Sequence, residues 1–306
     1  MEHHVARRQF LKTIGVGLLT ILSMDLLGPL SAQAQGASAD PSTAKTARLW
    51  SSCCAYTYRG EFKLGLTLEQ FIERAVEMRF DAVNMTVYYM KSTDPGYIEN
   101  LRHLEYKNAA VFSGAACGVS MAVADSAKRA DTLTQIKRWI DVADLLGAPH
   151  LRVLAGKLPQ GSTLHEATTW VVETMKAASD YSGGKGIMLG AADHVGVSQS
   201  AEVCLEIMHR VNSPYAGINI DFSHFAPTLM QGSYAQIASC IPYATNTHIR
   251  NTFDDGSMID MDRLRKIFAN AGFKGFMSYE GAEMNTTETP AQITEIQRLF
   301  KKYSSV

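Results

Sequence analysis

The sequence lacks what would mark it for nucleic acid, for a dinucleotide or for a disulfide framework. Positive charge is not in excess: 29 Lys and Arg stand against 30 Asp and Glu in 306 residues, a formal net charge of −1. A nucleic-acid partner would require a basic face that displaces phosphate counterions, so that class is set aside. Cysteine is sparse, at five residues, and none falls in a C-x-x-C spacing. The odd count forbids complete intramolecular pairing, and neighbours such as Cys53 and Cys54 point to opposite faces of a strand, where they do not readily bridge each other. The cysteines are therefore read as small buried apolar residues. No G-x-G-x-x-G follows the first β-rich run, which weighs against a dinucleotide fold. The one glycine cluster, "SGGKG" at 182–186, sits between a helix and a strand, the wrong side for a phosphate loop.

Long apolar runs are missing too, apart from one near the start. "ARRQFLK" (Ala6–Lys12) precedes "TIGVGLLTILSMDLLGPL" and then "SAQAQ", with Ala32 and Ala34 placed as in an A-x-A cleavage site. The run carries Asp25 and is short for a span, which takes about 20 apolar residues. This pattern resembles a twin-arginine export signal. The resemblance implies a cleaved segment over residues 1–34, delivery of the folded protein to the periplasm, and no stable membrane association afterwards. Residues 35–46, "QGASADPSTAKT", are small and polar and read as a flexible linker.

From Ala47 to Val306 the chain alternates in type. Eight β-rich runs, "ARLWSSCCAY", "AVNMTVYY", "AAVFSGAAC", "HLRVLAG", "IMLGAA", "AGINIDFSHF", "ATNTHIRN" and "GFMSYEG", are separated by segments with apolar residues at helical spacing. In "LTLEQFIERAVEMR", Thr67 stands near an N-cap, and Phe71, Ala75 and Met78 share a face. In "ADTLTQIKRWIDVADLLG", the face is Leu133, Ile136, Ile140, Ala143 and Leu146, with Gly147 as a stop. A last helix is expected over "TPAQITEIQRLFKKY", with Pro290 in its first turn. Eight strand–helix units in this length predict an α/β fold, a single (β/α)8 TIM barrel. An open doubly wound sheet is the alternative.

In such a barrel, chemistry gathers where strands end. The polar residues at those ends are Asp193 and His194 on strand five, Asp221 and His224 on strand six, His248 and Arg250 on strand seven, and Glu280 on strand eight. Arg152 lies earlier in strand four. A lone Asp there is commonly a helix cap, and a lone His is commonly a packing residue. On consecutive strands they converge, and carboxylate with imidazole suits one divalent ion, Mn, Mg, Zn or Co. His103, His165 and His209 are expected on the surface.

The set, with "DVADLLGAPHLRVLAG" (141–156), "GINIDFSHF" (217–225), "THIRN" (247–251) and "GFMSYEG" (275–281), resembles the sugar phosphate isomerase/epimerase family of xylose-isomerase-like TIM barrels. The resemblance implies a metal held by Glu, Asp, His and Glu on strands five to eight. Asp221, His248 and Glu280 match the last three. His224 matches a substrate contact and Arg250 a basic one, with Arg152 a further candidate. The first ligand is where the chain departs: "GIMLGAADHVG" aligns Ala192 with the family's Glu, Asp193 with its Asn and His194 with its His. Alanine neither binds metal nor moves a proton. Asp193 reaches the ion if the strand ends or bulges at Ala192, and is then a further metal candidate.

The expected function is an exported, metal-dependent enzyme moving a proton next to the carbonyl of a sugar, keto sugar or polyol. Glu280 is the base, with His194 or His224 as the second group. Elimination from a 3-keto-glycoside tolerates the loss of one carboxylate and stands as an alternative, as does a non-catalytic carbohydrate-binding barrel. The apurinic-endonuclease branch of the same fold is disfavoured, since it takes three zinc ions and more ligands than the chain offers. The expected partner is a small carbohydrate; a homo-oligomer is left open.

Overall fold

A computed structural model of the protein describes residues 47–225 and 232–281. The expected export signal, the linker and the last helix lie outside the described residues. Each β-rich run holds one strand: β1 (Arg48–Cys54), β2 (Ala82–Thr86), β3 (Val111–Ser120), β4 (His150–Leu154), β5 (Met188–Ala192), β6 (Ala216–Asp221), β7 (Ala244–Ile249) and β8 (Lys274–Tyr279). They hydrogen-bond in chain order, all parallel, and β8 returns to β1, so the sheet closes as a barrel. An open doubly wound sheet is excluded by that closure.

The helices between them are α1 (Arg59–Lys63), α2 (Leu68–Glu77), α3 (Pro95–Lys107), α4 (Ser126–Leu146), α5 (Leu164–Gly183), α6 (Ala201–Val211), α7 (Ser233–Cys240) and α8 (Met261–Ala271). Their starts follow capping chemistry. At α2, the Gln70 amide N–H donates to the Thr67 hydroxyl at 3.3 Å, and the Thr67 N–H donates to the Gln70 side chain at 3.0 Å. The face expected on α2 is buried: Phe71 and Ala75 are inaccessible, and Met78 follows at the cap. Helix α4 starts before its apolar face does. Asp125 accepts from the Lys128 N–H at 2.8 Å, so a cap extends the helix over exposed turns that carry no apolar signal. It stops at Gly147, whose φ of 82° is left-handed. "SGGKG" is a helix-to-strand turn: α5 ends within it and Gly186 takes φ 74° before β5.

Apolar side chains fill the layer between sheet and helices. Phe71, Ile98, Ile136, Ile140, Val171 and Phe268 are inaccessible to solvent, each stabilising by roughly 1.5–3 kcal/mol. The barrel interior is different, because small and neutral polar residues line it. Ser52 pairs with Ser113 at 2.7 Å, Asn246 donates to Asn219 at 3.2 Å, and His150 reaches across to Thr245 at 3.0 Å. A β-carbon on Gly190 would come within 2.4 Å of His150 Nε2, so glycine there makes room for the ring. Burial, with the charges of His248 and Arg152, pushes the His150 imidazole down to about 3. This neutral layer is the floor of the site above it.

Candidate active site at the C-terminal mouth of the barrel

Above that floor lies a cavity of about 190 Å³. Arg152, Asp221, His248 and Glu280 line it together with His194, His224 and Ala192. Tyr56 and Tyr88 form an aromatic lip on the β1–β2 side. The strand-end residues singled out by the sequence therefore meet, with two exceptions treated below. His103, His165 and His209 are exposed on helices, as expected.

Glu280 is the centre of the charged wall. Its N–H donates to the Ile249 carbonyl at 3.0 Å, which extends the β7–β8 ladder by one residue and points the side chain inward. Its Oε2 lies 2.8 Å from His248 Nδ1. The same oxygen accepts from the Cys54 thiol at 3.3 Å. Burial works to raise the Glu280 carboxyl, but His248, Arg152 and the thiol donor outweigh it, so the group is held below the ordinary carboxylate range. Arg152 keeps its charge firmly: burial opposes it, while Tyr88 and Glu280 more than offset that. The cavity thus holds a lasting carboxylate beside a lasting guanidinium.

Cys54 is a correction. Composition places it among apolar fillers, and its thiol is fully buried. Its sulfur nevertheless faces Glu280, and Asn84 Oδ1 at 3.9 Å, rather than the helix layer. Burial and the adjacent Glu280 push the thiol well up from its ordinary value. Strand parity was the available signal: Cys54 ends β1 and is in phase with inward Ser52. What parity cannot show is that β1 closes against β8 and brings Cys54 to a residue 226 positions away.

Asp221 ends β6 and is held by its own turn. Its Oδ1 accepts from the Ser223 N–H at 3.0 Å and the Ser223 hydroxyl at 2.5 Å. The other oxygen stands 3.5 Å from both His224 Nε2 and an Arg250 guanidinium nitrogen. His194 and His224 meet edge to face, 4.8 Å between centroids, at the β5–β6 rim. Burial and the facing His224 lower the His194 imidazole, which favours the neutral ring. Arg250 is the first exception. It leans between Asp221 and Asp254, the latter at 3.1 Å, and is not among the residues lining the cavity.

Asp193 is the second exception, and the metal role offered to it does not fit. Strand β5 pairs with β4 and β6 in unbroken register through Ala192, so there is no bulge to turn Asp193 inward. Ala192 faces the cavity instead. Asp193 is fully buried on the other side, where its Oδ1 accepts from the Asp221 N–H at 2.7 Å. Burial and the neighbouring Asp221 raise its carboxyl well above the ordinary value, which favours the neutral acid. It fixes the backbone from which Asp221 projects.

The donor set suits a divalent ion. One ligand atom each from Cys54, His248 and Glu280 lies within 4.8 Å of the other two. Asp221 enters the same cavity from the strand beside His248, with which it is in register. Imidazole, carboxylate and thiol around one small volume are a mixed donor set able to hold a divalent ion, unlike an all-oxygen calcium cage.

Residues 72–303 match the family described as xylose isomerase-like TIM barrel. The chain belongs to the xylose isomerase-like TIM barrel family. Solved structures of this barrel include the 3-keto-D-glucoside 4-epimerase of E. coli, at 13% identity and TM-score 0.67, covering 84% of this chain and 100% of that one. D-psicose 3-epimerase of Clostridium cellulolyticum H10, solved with D-tagatose, aligns at 10% identity and TM-score 0.71 over 84% of this chain and 99% of its own. Protein SMc04130 of Sinorhizobium meliloti 1021 aligns at 20% identity and TM-score 0.65, over 83% and 95%. No curated protein matches the chain by sequence. At these identities the likeness is one of fold, and the chemistry has to be argued from the cavity.

Proposed function

We propose that the chain is a divalent-metal-dependent enzyme of the sugar isomerase/epimerase type, acting on a keto sugar or a related carbohydrate. The observation that carries this reading is the convergence of Asp221, His248, Glu280 and Arg152 on one cavity of about 190 Å³ at the C-terminal mouth. Two barrels of the same shape are a 3-keto-D-glucoside 4-epimerase and a D-psicose 3-epimerase, which supports a sugar as the substrate class.

Asp221, His248 and Glu280 would hold the ion. Once bound, it supplies Lewis acidity towards a carbonyl oxygen and acidifies the neighbouring C–H. Glu280, held ionised, accepts that proton at its Oε1 or Oε2. The Arg152 guanidinium, in a buried wall, stabilises the negative charge that the abstraction creates. His194 and His224 on the β5–β6 rim supply the second proton-transfer group. Tyr56 and Tyr88 offer aromatic faces to the apolar face of a sugar ring and narrow the access of water.

Ala192 lies at the wall where a second carboxylate would complete a symmetrical two-base site. Its presence favours, as a second reading, a reaction with one abstraction and one protonation of a leaving group: elimination from a 3-keto-glycoside. There Glu280 takes the proton beside the ketone, the glycosidic C–O bond breaks, and a rim histidine protonates the departing oxygen.

The test is incubation of the purified protein with Mn²⁺ in deuterated water against a panel of keto sugars and 3-keto-glycosides. Deuterium at the carbon next to the carbonyl supports the isomerase/epimerase reading. Release of the aglycone selects elimination. Binding without either outcome makes the barrel a carbohydrate-binding protein and overturns the enzyme.

The export reading is proposed on the N-terminal residues alone. Lysine at both Arg7 and Arg8 should retain the protein in the cytoplasm, and unchanged periplasmic delivery would refute it.

A further inference from the structure

We infer that Cys54 is a thiolate ligand of the same ion, supplied from β1 beside His248 and Glu280, and that the site therefore selects a thiophilic ion of the zinc–cobalt class over manganese or magnesium. The inference rests on the metal-dependent reading above and goes further, because it assigns a ligand and a class of ion.

Four observations carry it. First, although Cys54 is not among the cavity-lining residues, its sulfur touches one of them: it is 3.3 Å from Glu280 Oε2, and that oxygen is 2.8 Å from His248 Nδ1. Second, the three donors lie within 4.8 Å of one another. Around one tetrahedral ion, with metal–sulfur near 2.3 Å and metal–nitrogen or –oxygen near 2.1 Å, ligand atoms stand about 3.4–3.6 Å apart. Small side-chain rotations thus suffice, and the strands stay where they are. Third, β5 supplies no carboxylate to the cavity, since Ala192 faces it and Asp193 is turned out of it, and the donors on that rim are the imidazoles of His194 and His224. A further protein donor beside Glu280 can come from β1, which the closing seam joins to β8.

The fourth observation is charge. The buried Arg152 guanidinium lines the same cavity as Glu280, and a divalent ion adds further positive charge there. A thiolate balances it. The sulfur–metal bond forms as the S–H bond breaks, and the proton leaves to a solvent base. Soft thiolate with imidazole favours zinc or cobalt, whereas magnesium and manganese prefer oxygen.

The test loads the purified full chain with Co²⁺ and reads its absorption. Wild type should show the near-ultraviolet thiolate-to-cobalt charge-transfer band as well as the visible d–d bands. Cys54→Ser should lose the charge-transfer band, keep d–d bands, and bind Cd²⁺ about tenfold or more weaker while Mn²⁺ affinity moves by about twofold or less. Cys117→Ser, a control at another buried cysteine, should keep the band. Cobalt bound with d–d bands but no charge-transfer band in wild type overturns the thiolate and leaves the metal site standing. A wild type that takes up no cobalt overturns both. Should Cys54→Ser fail to fold, Cys54→Ala serves as the second variant, and a charge-transfer band that persists in it overturns the assignment to Cys54.

Discussion

Two layers of the barrel interior sit one above the other and behave differently. The lower layer is polar and paired within itself: Ser52 with Ser113, Asn219 with Asn246, and His150 with Thr245, although His150 Nδ1 and Asn246 Oδ1 are left without partners. The upper layer carries the ionisable groups: Arg152, Asp221, His248 and Glu280 face a cavity, and Glu280 meets both the Cys54 thiol and His248 Nδ1 at one oxygen. Three strands supply both layers, a single side-chain period apart: His150 and Arg152 on β4, Asn219 and Asp221 on β6, and Asn246 and His248 on β7. In the lower layer a polar group is made tolerable by a neutral partner. In the upper layer, against the effect of burial, His248 and Arg152 hold the Glu280 carboxyl below its ordinary range, and the side chains face a cavity available to a ligand.

If that division is right, the largest effect belongs to the upper layer. Glu280→Gln removes the proton acceptor and should lower solvent-deuterium exchange on a responsive keto sugar by about 10²–10⁴-fold. Exchange within tenfold of wild type would move the base elsewhere. Next in size, His248→Ala deletes an imidazole ligand and should weaken metal uptake by about tenfold or more. Equal metal content in the two proteins, by elemental analysis after dialysis, would break the contrast between the layers.

The lower layer should show itself in stability rather than in metal. His150 titrates near its ordinary 6.5 when unfolded and is pushed down to about 3 when folded. Between those values the unfolded chain binds the extra proton, so stability falls as pH falls through 6.5 and the loss is complete below about 3. By pH ~5 the loss from this group is at most about 2 kcal/mol. Denaturant titrations at neutral and mildly acid pH should show it in wild type and not in His150→Asn. An equal acid loss in both proteins would assign the sensitivity to other groups.

The smallest expected effect sharpens the upper layer itself. Ala192→Glu places a carboxylate on the empty wall and should tighten Mn²⁺ by roughly three- to tenfold. Asp193→Asn, on the far side of the strand, should leave Mn²⁺ affinity nearly unchanged. The reverse pattern in a calorimetric titration would mean that β5 turns over at its end.

Those pairs also show how far the chain could be read before its fold was known. Strand and helix placement was legible because apolar period and capping residues are local: Thr67 with Gln70 and Gly147 with α4 are decided within a few positions. Asp221, His248 and Glu280 were legible because a parallel barrel puts every strand end on one face. Arg250 was less so, since a long side chain chooses its partner by local charge and here takes Asp221 and Asp254. The start of α4 was missed because its first turns are exposed and carry no apolar pattern.

The sequence by itself determined the eight strand–helix units, the carboxylates and imidazoles at the strand ends, and the alanine at position 192, because each is a matter of residue type and short-range period. Only the tertiary structure decided that Asp193 turns outward to hold the Asp221 N–H and that Cys54 faces inward to Glu280. The first depends on an unbroken register between β5 and its neighbours, and the second on the closure of β1 against β8. Both are contacts between residues far apart along the chain, and no local pattern encodes which distant strand will lie alongside.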